Sequence, residues 1–582
     1  MSPHADPLLH TRVWWKEAVF YQVYPASFKD SNGDGWGDIP GLLSKIPYIA
    51  SLGVDCVWLS PMFESPQVDM GYDISNYEAV DPSYGTVEDV ERLIKVCHDN
   101  GMKLILDLVV NHTSDQHAWF KESRSSKDNP KRDWYFWRPA RYDEQGNRRP
   151  PTNYRSYFAG TWDEHTQEYY LHLYDKSQPD LNWENEECRK AIYDSAMRFW
   201  LDKGIDGFRV DTVNKYSKHI DFPDAPITDP NTFVQPAAQF WCNGPRIHEF
   251  IKEMNSKVLS HYKTFDGQPV VTVGELSLTP DPEGVLSYVS ARAKELDMVF
   301  QFDLTHLGQS NGFSDKYDFT EWTLPEMKQI VNKWQTFIEG TDGWTTVFNE
   351  NHDNGRSVSR FADDSPQWRE KSAKMLAMWL VTQTGTLFLY QGQEIGMINA
   401  PKEWPIEEYK DVESLNFWSE AVRLEENGSD PTRKSRIMNG LRLMARDHAR
   451  LPFQWDSSPN AGFSSGTPWM RTHDLYKEIN AASQEKDFNS VLSFYKRMLR
   501  MRKEHNDVFV YGAFELLKPE DLNTFMFKKH HQEKTALVAL NFTASPQPVP
   551  SPSEDMTMLV SSYSKTSGDV LQPYEGRVYI NY

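Results

Sequence analysis

Cysteine is scarce in this chain: four in 582 residues, at positions 56, 97, 188 and 242, none in a CxxC or other metal-ligand spacing. Cys56 falls in an apolar run and Cys97 on an apolar helical face, so buried free thiols are expected rather than a disulfide framework. No window holds 18 uninterrupted apolar residues, which excludes a membrane-spanning helix of ordinary kind. The opening stretch MSPHADPLLHTRVWW lacks the apolar core of a secretory signal, and a cytoplasmic location is expected. Basic residues are outnumbered, 62 against 83, leaving a net charge of −21. Nucleic-acid partners draw their affinity from Lys and Arg neutralising phosphates, so that class is set aside. Neither an internal repeat nor a low-complexity tract is present.

Aromatics, by contrast, are plentiful: 20 Trp, 27 Tyr and 31 Phe, enough for a large core and for ring platforms in a binding cleft. Eight short apolar runs recur along the chain, at 20–28, 54–61, 103–111, 207–212, 270–276, 298–304, 345–351 and 386–391. Such runs are the pattern of strands buried on both faces of a parallel sheet. Amphipathic stretches alternate with them. Val87, Val90, Leu93, Ile94 and Cys97 share one helical face, and Met327, Ile330, Val331, Trp334 and Phe337 repeat the spacing behind a Thr323-x-x-Glu326 capping box. Eight strands alternating with helices predict an α/β chain folded as a (β/α)8 TIM barrel. Residues 112–180, rich in Asp, Arg, Tyr, Trp and Pro, read as a subdomain inserted after the third strand. From 513 the alternation shortens into a C-terminal antiparallel β domain, expected as a sandwich over 513–582. The barrel then takes 1–111 and 181–512, with a long polar excursion at 397–488 before a helix at 491–504.

Three of the strand-like runs lead into acidic residues: GIDGFRVD into Asp211, PVVTVGE into Glu275 and WTTVFNENHD into Asp353. In a (β/α)8 barrel the C-terminal ends of the strands carry the catalytic groups, so three carboxylates are expected to gather at that face. Paired carboxylates are the chemistry of glycoside cleavage. Arg209 stands two residues before Asp211 and points the same way along the strand. Such a guanidinium is expected to lower the Asp211 pKa and keep a nucleophile ionised. An Arg-x-Asp taken alone is more often a buried ion pair. The apolar approach to Glu275 is expected to raise its pKa, as suits a general acid.

DLVVNHTS (107–114), GFRVDT (207–212), VGEL (273–276) and NENHDN (349–354) together resemble the four signature regions of the α-amylase superfamily, glycoside hydrolase family 13. QVDMGYDI (67–74) and ARDHARLPFQWD (445–456) narrow the resemblance to its oligo-1,6-glucosidase and fungal maltase/isomaltase branch, with Leu451 where that branch carries Thr. The resemblance implies that Asp211 is the nucleophile forming a covalent glucosyl intermediate, Glu275 the acid/base, and Asp353 the carboxylate that holds ring hydroxyls. It implies that His112 and His352 bond the same glucose and that Asp69 and Tyr72 grip it. Arg450 would pair with Asp69, making the cleft a pocket. Thr212, the residue after the nucleophile, is Thr in α-1,4-preferring relatives and Val in α-1,6-preferring ones.

The expected activity is therefore a retaining exo-α-glucosidase of maltase type acting on maltose, sucrose and short α-glucosides. An oligo-1,6-glucosidase is the alternative, and a transglucosylating sucrose isomerase a more distant one. A non-catalytic relative, such as the heavy chain of an amino-acid transporter, would need an anchor and lack the catalytic set. Small α-glucosides are the expected partners, with the chain a monomer or weak oligomer and no organic cofactor. A last motif stands apart. Asp30, Asn32, Asp34 and Asp38 occupy positions 1, 3, 5 and 9 of a calcium-type loop, with Trp36 offering its carbonyl at 7 and Gly35 at the turn. Position 12 is Gly41 instead of Glu, so this is no EF-hand, and the resemblance implies a structural Ca²⁺.

Overall fold

The eight apolar runs all become strands: β1 (Val19–Val23), β2 (Cys56–Leu59), β3 (Lys103–Leu108), β4 (Gly207–Val210), β5 (Val271–Glu275), β6 (Met298–Phe300), β7 (Thr346–Val347) and β8 (Thr386–Tyr390). The computed structural model describes residues 11–154, 161–230, 232–309, 316–549, 553–566 and 568–581. Parts of the predicted N-terminal, insert and C-terminal stretches (1–10, 155–160, 550–552, 567 and 582) lie outside them. The sheet runs β6-β5-β4-β3-β2-β1-β8-β7, so successive strands are neighbours except β6 and β7, which stand at the two ends, and β1 neighbours β8. That is the strand order of a (β/α)8 barrel. Each strand is shorter than its apolar run, because the runs continue into the loops that follow.

By contact density the chain divides into two units. One comprises Met1–Trp58, Asp99–Met102 and Phe302–Tyr582. Here β1 pairs in parallel with β8, and β8 with β7. Every residue of β1 and β8 is buried, and Phe20 stacks on Phe388 with centroids 4.6 Å apart. The helix Ile39–Leu52 starts where the Asp38 carboxylate accepts the Gly41 amide and stops at Gly53 in the left-handed region. The predicted helix Val491–Glu504 forms with Ser490 as its cap. Between them in sequence, Arg369–Val381 is buried on nearly all sides. Its Trp379 packs on Phe525 and Phe542 of the C-terminal region, whose antiparallel strands Ala513–Leu517, Thr524–His531, Lys534–Asn541, Gly576–Ile580 and Thr557–Ser561 lie in that order. Within the 397–488 excursion two helices form, Val412–Glu426 and Arg433–Met444. Their apolar stripe is thin (the first buries only Ser414 and Ala421), which is why periodicity does not announce them.

The other unit comprises Leu59–His98 and Lys103–Gln301. Its β3, β4, β5 and β6 pair in parallel, with Arg209 in register opposite Asp107 on one side and Val273 on the other. Helix Val87–Asp99 follows the predicted face, its first turn fixed by the Asp89 carboxylate accepting the Thr86 amide and hydroxyl. The insert carries a small sheet of Trp137–Arg138, Glu168–Tyr170 and Trp162–Asp163 over an aromatic cluster that includes Phe136, Tyr154, Tyr169 and Trp241.

Gly207 opens β4 at φ +149°, where an added Cβ would lie 2.0 Å from the Val271 carbonyl oxygen of β5. Gly207→Ala must therefore push the two strands apart or break their register. Left-handed strain of about 1–3 kcal/mol sets the minimum cost, and the backbone clash adds to it. The expected outcome is a melting temperature lowered by several degrees, read by calorimetry, with loss of activity at lower temperature than the parent chain.

Candidate active site

Asp211 is the first residue beyond β4, and its amide donates to the Leu108 carbonyl of β3 at 3.0 Å. Two residues earlier, Arg209 is only 3 % exposed and its guanidinium is shared by three carboxylates. Nη1 donates to Asp107 and Asp211, both at 2.6 Å, and Nη2 donates to Glu275, the last residue of β5. The alternation of β4 places Arg209 and Asp211 on one face, and the register places Asp107 beside them. Asp107 is a site residue that sequence reasoning missed, although it lies inside the DLVVNHTS segment.

Three carboxyl groups around one guanidinium cannot all ionise without cost, and burial raises that cost. Burial drives Glu275 up to about 7, against the pull of Arg209 and with the push of Asp211. The two acids sit on the two terminal nitrogens of one guanidinium, and the charge of Asp211 adds to the rise of Glu275. Asp211 departs from expectation. Burial raises its pKa above the ordinary value, and Arg209, whose charge Asp107 and Glu275 share, only partly offsets this. Arg209 thus pulls the Asp211 pKa down, but burial and the charge of Asp107 outweigh it.

Asp69, Tyr72 and His112 are brought together in the same unit. The hairpin tip 67–71 is tight, with positive φ at Gln67, Met70 and Gly71, and buried Asp73 holds it by accepting the Val68 and Asp69 amides and the Ser65 hydroxyl. The Tyr72 amide donates to the Asp69 carbonyl, and His112 Nε2 donates to the Tyr72 carbonyl at 3.1 Å. His112 Nδ1 then accepts from Asn111, the tautomer following from these partners. Burial lowers the His112 pKa, which keeps the ring neutral. Gln178, not anticipated from sequence, donates to Asp69 at 3.1 Å and lies 3.3 Å from His112. Behind them the fully buried Lys218–Asp180 pair, 2.9 Å, anchors Asn111. Thr212 has φ +40° and ψ +41°, a costly conformation for a β-branched residue, and its hydroxyl donates to Asp211 at 3.3 Å.

His352 and Asp353 belong to the other unit and lie in the loop after β7, several residues past the strand end expected to carry Asp353. Gln22 of β1 donates to His352 Nδ1 at 2.8 Å, which turns Nε2 toward Asp353 at 3.2 Å. Arg450 is 1 % exposed and spends all three nitrogens locally. Nε donates to the His352 carbonyl (3.0 Å), Nη1 to Asp411 (2.8 Å) and Nη2 to Asp353 (3.0 Å). Within this unit the carboxylates on Arg450 are Asp353 and Asp411. Arg446, one turn earlier on the same helical face, lies 3.5 Å from Asp353 and 2.7 Å from Asp411. It was within the quoted ARDHARLPFQWD segment and was not singled out. Although burial pushes the other way, His352, Arg446, Arg450 and Lys316 hold the Asp353 carboxyl far below the usual carboxylate range.

The calcium-type loop folds as a series of side-chain-capped turns. Asp30 accepts the amides of Asn32, Gly33 and Gly35 and the Ser464 hydroxyl; Asn32 accepts the Asp34 amide, and Asp34 the Trp36 amide. Asp38 accepts from Ser31 and from the Gly41 amide. These oxygens, with the Trp36 carbonyl, are donors of the type a hard cation takes. Among the described residues, however, no three acidic, His or Cys side chains gather closely enough to hold a metal.

Comparison with known proteins places this geometry. Residues 22–512 match the family model described as alpha amylase, catalytic domain. The chain is 51 % identical to an alpha-glucosidase of Candida albicans over 97 % of this chain and 99 % of that one. It is 49 % identical to the oligo-1,6-glucosidase IMA2 of Saccharomyces cerevisiae, over 98 % of each. Among solved structures, an isomaltulose synthase mutant of Erwinia rhapontici in complex with sucrose superposes with a TM-score of 0.89 at 39 % identity, covering 98 % of this chain and all of that one. The chain belongs to the α-amylase family, glycoside hydrolase family 13.

Proposed function

We propose that the chain is a retaining exo-α-glucosidase of maltase type, releasing glucose from the non-reducing end of maltose, sucrose and other short α-glucosides. The observation that carries the reading is that Asp211 and Glu275 are bonded to the two terminal nitrogens of one guanidinium, that of Arg209. Carboxyl groups bridged by a single guanidinium resemble the short separation of a retaining pair, about 5–5.5 Å, far more than the 6.5–9.5 Å that an inverting enzyme needs for its water.

In the proposed sequence the Asp211 carboxylate attacks the anomeric carbon, and Glu275 gives its proton to the departing glycosidic oxygen. Glu275, now ionised, takes a proton from water, whose oxygen displaces Asp211 from the sugar. Each step moves one proton and exchanges one C–O bond for another. Asp353, kept anionic, suits a role in accepting hydrogen bonds from ring hydroxyls, and neutral His112 one in donating or accepting them. Asp69 and Tyr72, with Gln178, would grip the terminal glucose. The four cysteines are free and buried, which agrees with the proposed cytoplasmic location.

The second reading, an oligo-1,6-glucosidase, is favoured by the names of several relatives at 47–49 % identity. Thr212 decides between them in our reading, because its hydroxyl is tied to Asp211 and its backbone is strained, so its side chain cannot turn freely. Glucose release should be faster from maltose than from isomaltose. Thr212→Val should move that ratio toward isomaltose by about tenfold, a modest change in keeping with one hydroxyl. Asp211→Asn should lower kcat on both by on the order of 10⁴-fold. A dominant rearranged disaccharide product would refute the hydrolase reading in favour of the isomerase.

The pH profile follows from the pair. Glu275 must be protonated to act as acid, so kcat/KM should fall as pH rises through about 7. Asp211 must be ionised, and since its pKa is raised, the acid limb should lie above the ordinary carboxylate range. In Glu275→Gln the alkaline limb should vanish, and p-nitrophenyl α-glucoside, whose leaving group needs no proton, should lose less activity than maltose. An unchanged alkaline limb would remove Glu275 from the acid role.

Calcium held by Asp30, Asn32, Asp34, Asp38 and the Trp36 carbonyl would act on stability alone. EDTA should lower the melting temperature by a few degrees, added Ca²⁺ should restore it, and Asp34→Ala should abolish the response. A melting curve indifferent to both would dismiss the ion.

A further inference from the structure

A groove of about 660 Å³ opens beside the insert, and none of its lining belongs to the carboxylate site. Its walls include Glu64, Asn76, Glu78, Gln116, Trp119 and Lys121. That volume is within the range of about 300–1,000 Å³ that small-molecule sites occupy. Trp119 is partly exposed, and its ring is held from behind by three others: His117 at 4.4 Å between centroids, Trp134 edge-on at 5.2 Å, and Tyr77 at 5.7 Å. Tyr77 is in turn fixed, its hydroxyl donating to the Val109 carbonyl at 2.9 Å. The opposite wall is a hairpin, residues 63–80, braced by Ser75 donating to the Glu64 carbonyl and by Asn76 donating to the Glu64 carboxylate. The platform and the polar wall are thus both rigid before any ligand arrives.

We propose that this groove binds a neutral oligosaccharide, and specifically a short α-linked glucan, as a second sugar site. A pyranose has an apolar C–H face and a rim of hydroxyls. An immobilised indole offers a flat apolar surface to the first, and planar carboxylates and amides offer paired acceptors and donors to the second. The charges argue for a neutral ligand: Glu64 and Glu78 oppose a polyanion, and Lys121 beside them opposes a cation. The choice of glucan rests on the α-glucosidase reading above. Such a site would hold substrate near the enzyme without taking part in its cleavage.

Equilibrium dialysis with labelled maltotriose, in the Asp211→Asn chain that cannot consume it, counts sugars bound per chain. Two are expected at saturation. Adding Trp119→Ala should bring the count to one by weakening the second site at least about tenfold, equivalent to 1.4 kcal/mol. In the otherwise active chain, Trp119→Ala should leave kcat/KM on p-nitrophenyl α-glucoside within twofold. Should Trp119→Ala fail to fold, the exposed pair Glu78→Ala with Gln116→Ala makes the same test without touching a packed ring. A count of one in the parent Asp211→Asn chain, or of two surviving both sets of substitutions, overturns the proposal. The α-glucosidase reading fails separately, by absence of glucose release from the active chain, whatever the count at Trp119.

Discussion

The guanidinium of Arg209, shared among Asp107, Asp211 and Glu275, is the constraint on which the catalytic strands depend. Three buried carboxyl groups and one fixed cation leave an excess of negative charge that the interior cannot hold, so one proton stays. Position decides where. Asp107 lies deepest, on β3, and Asp211 shares one nitrogen with it, whereas Glu275 at the end of β5 is raised to about 7 by burial and by the charge of Asp211. A parallel sheet is what makes this possible: the register sets Arg209 opposite Asp107 and Val273, so three adjacent strands deliver their side chains to one spot. Gly207 and Gly274 serve the same end by letting β4 and β5 approach where a side chain would meet backbone or packed leucine and valine.

Asp353 is organised on the opposite principle. Where Glu275 is one of several acids on one base, Asp353 is one acid among several bases, with Arg446, Arg450 and His352 all within 3.5 Å. Asp411 also receives both arginines and caps the helix Val412–Glu426. The excursion between β8 and the C-terminal strands is thereby fastened to the residues that hold Asp353. Its two helices also meet in an apolar cluster of Ala421, Ile437, Leu441 and Met444 with Tyr317 and Tyr409, so the ionic attachment adds to packing.

The strands were readable in the sequence because burial on both faces leaves a continuous apolar run, and each run contains its strand except the first, whose strand begins one residue earlier at Val19. Their ends were not, since the residues just past a barrel strand are also buried and apolar. Asp353 was for this reason placed at a strand tip when β7 ends well before it. The helices with a strong apolar face were equally plain, down to the capping box at Thr323 and Glu326. Within the site, residue types and spacing were enough to nominate the acids, but the partner of a long flexible cation was not. Arg450 can reach in many directions from one backbone position, and only the fold shows that Asp353 and Asp411 receive it. The same holds for the Asp211 pKa. An arginine two residues away predicts depression, and burial, joined by the charge of Asp107, outweighs it.

That reversal bears on the chemistry proposed. A nucleophile with a strongly depressed pKa would be a poor one, because basicity and nucleophilicity toward carbon fall together. Raising Asp211 while leaving it the anion beside Glu275 keeps its reactivity, and the proton is already on the group that must protonate the leaving oxygen. Ground state and first transition state then differ by little rearrangement of protein charge, which is the condition for electrostatic preorganisation. Asp353 needs no such balance, since a group that accepts hydrogen bonds from hydroxyls does best as a permanent anion. In the proposed mechanism the opposite shifts of Glu275 and Asp353 suit an acid that exchanges a proton and an anion that does not: burial raises the first, and the cations around the second outweigh burial.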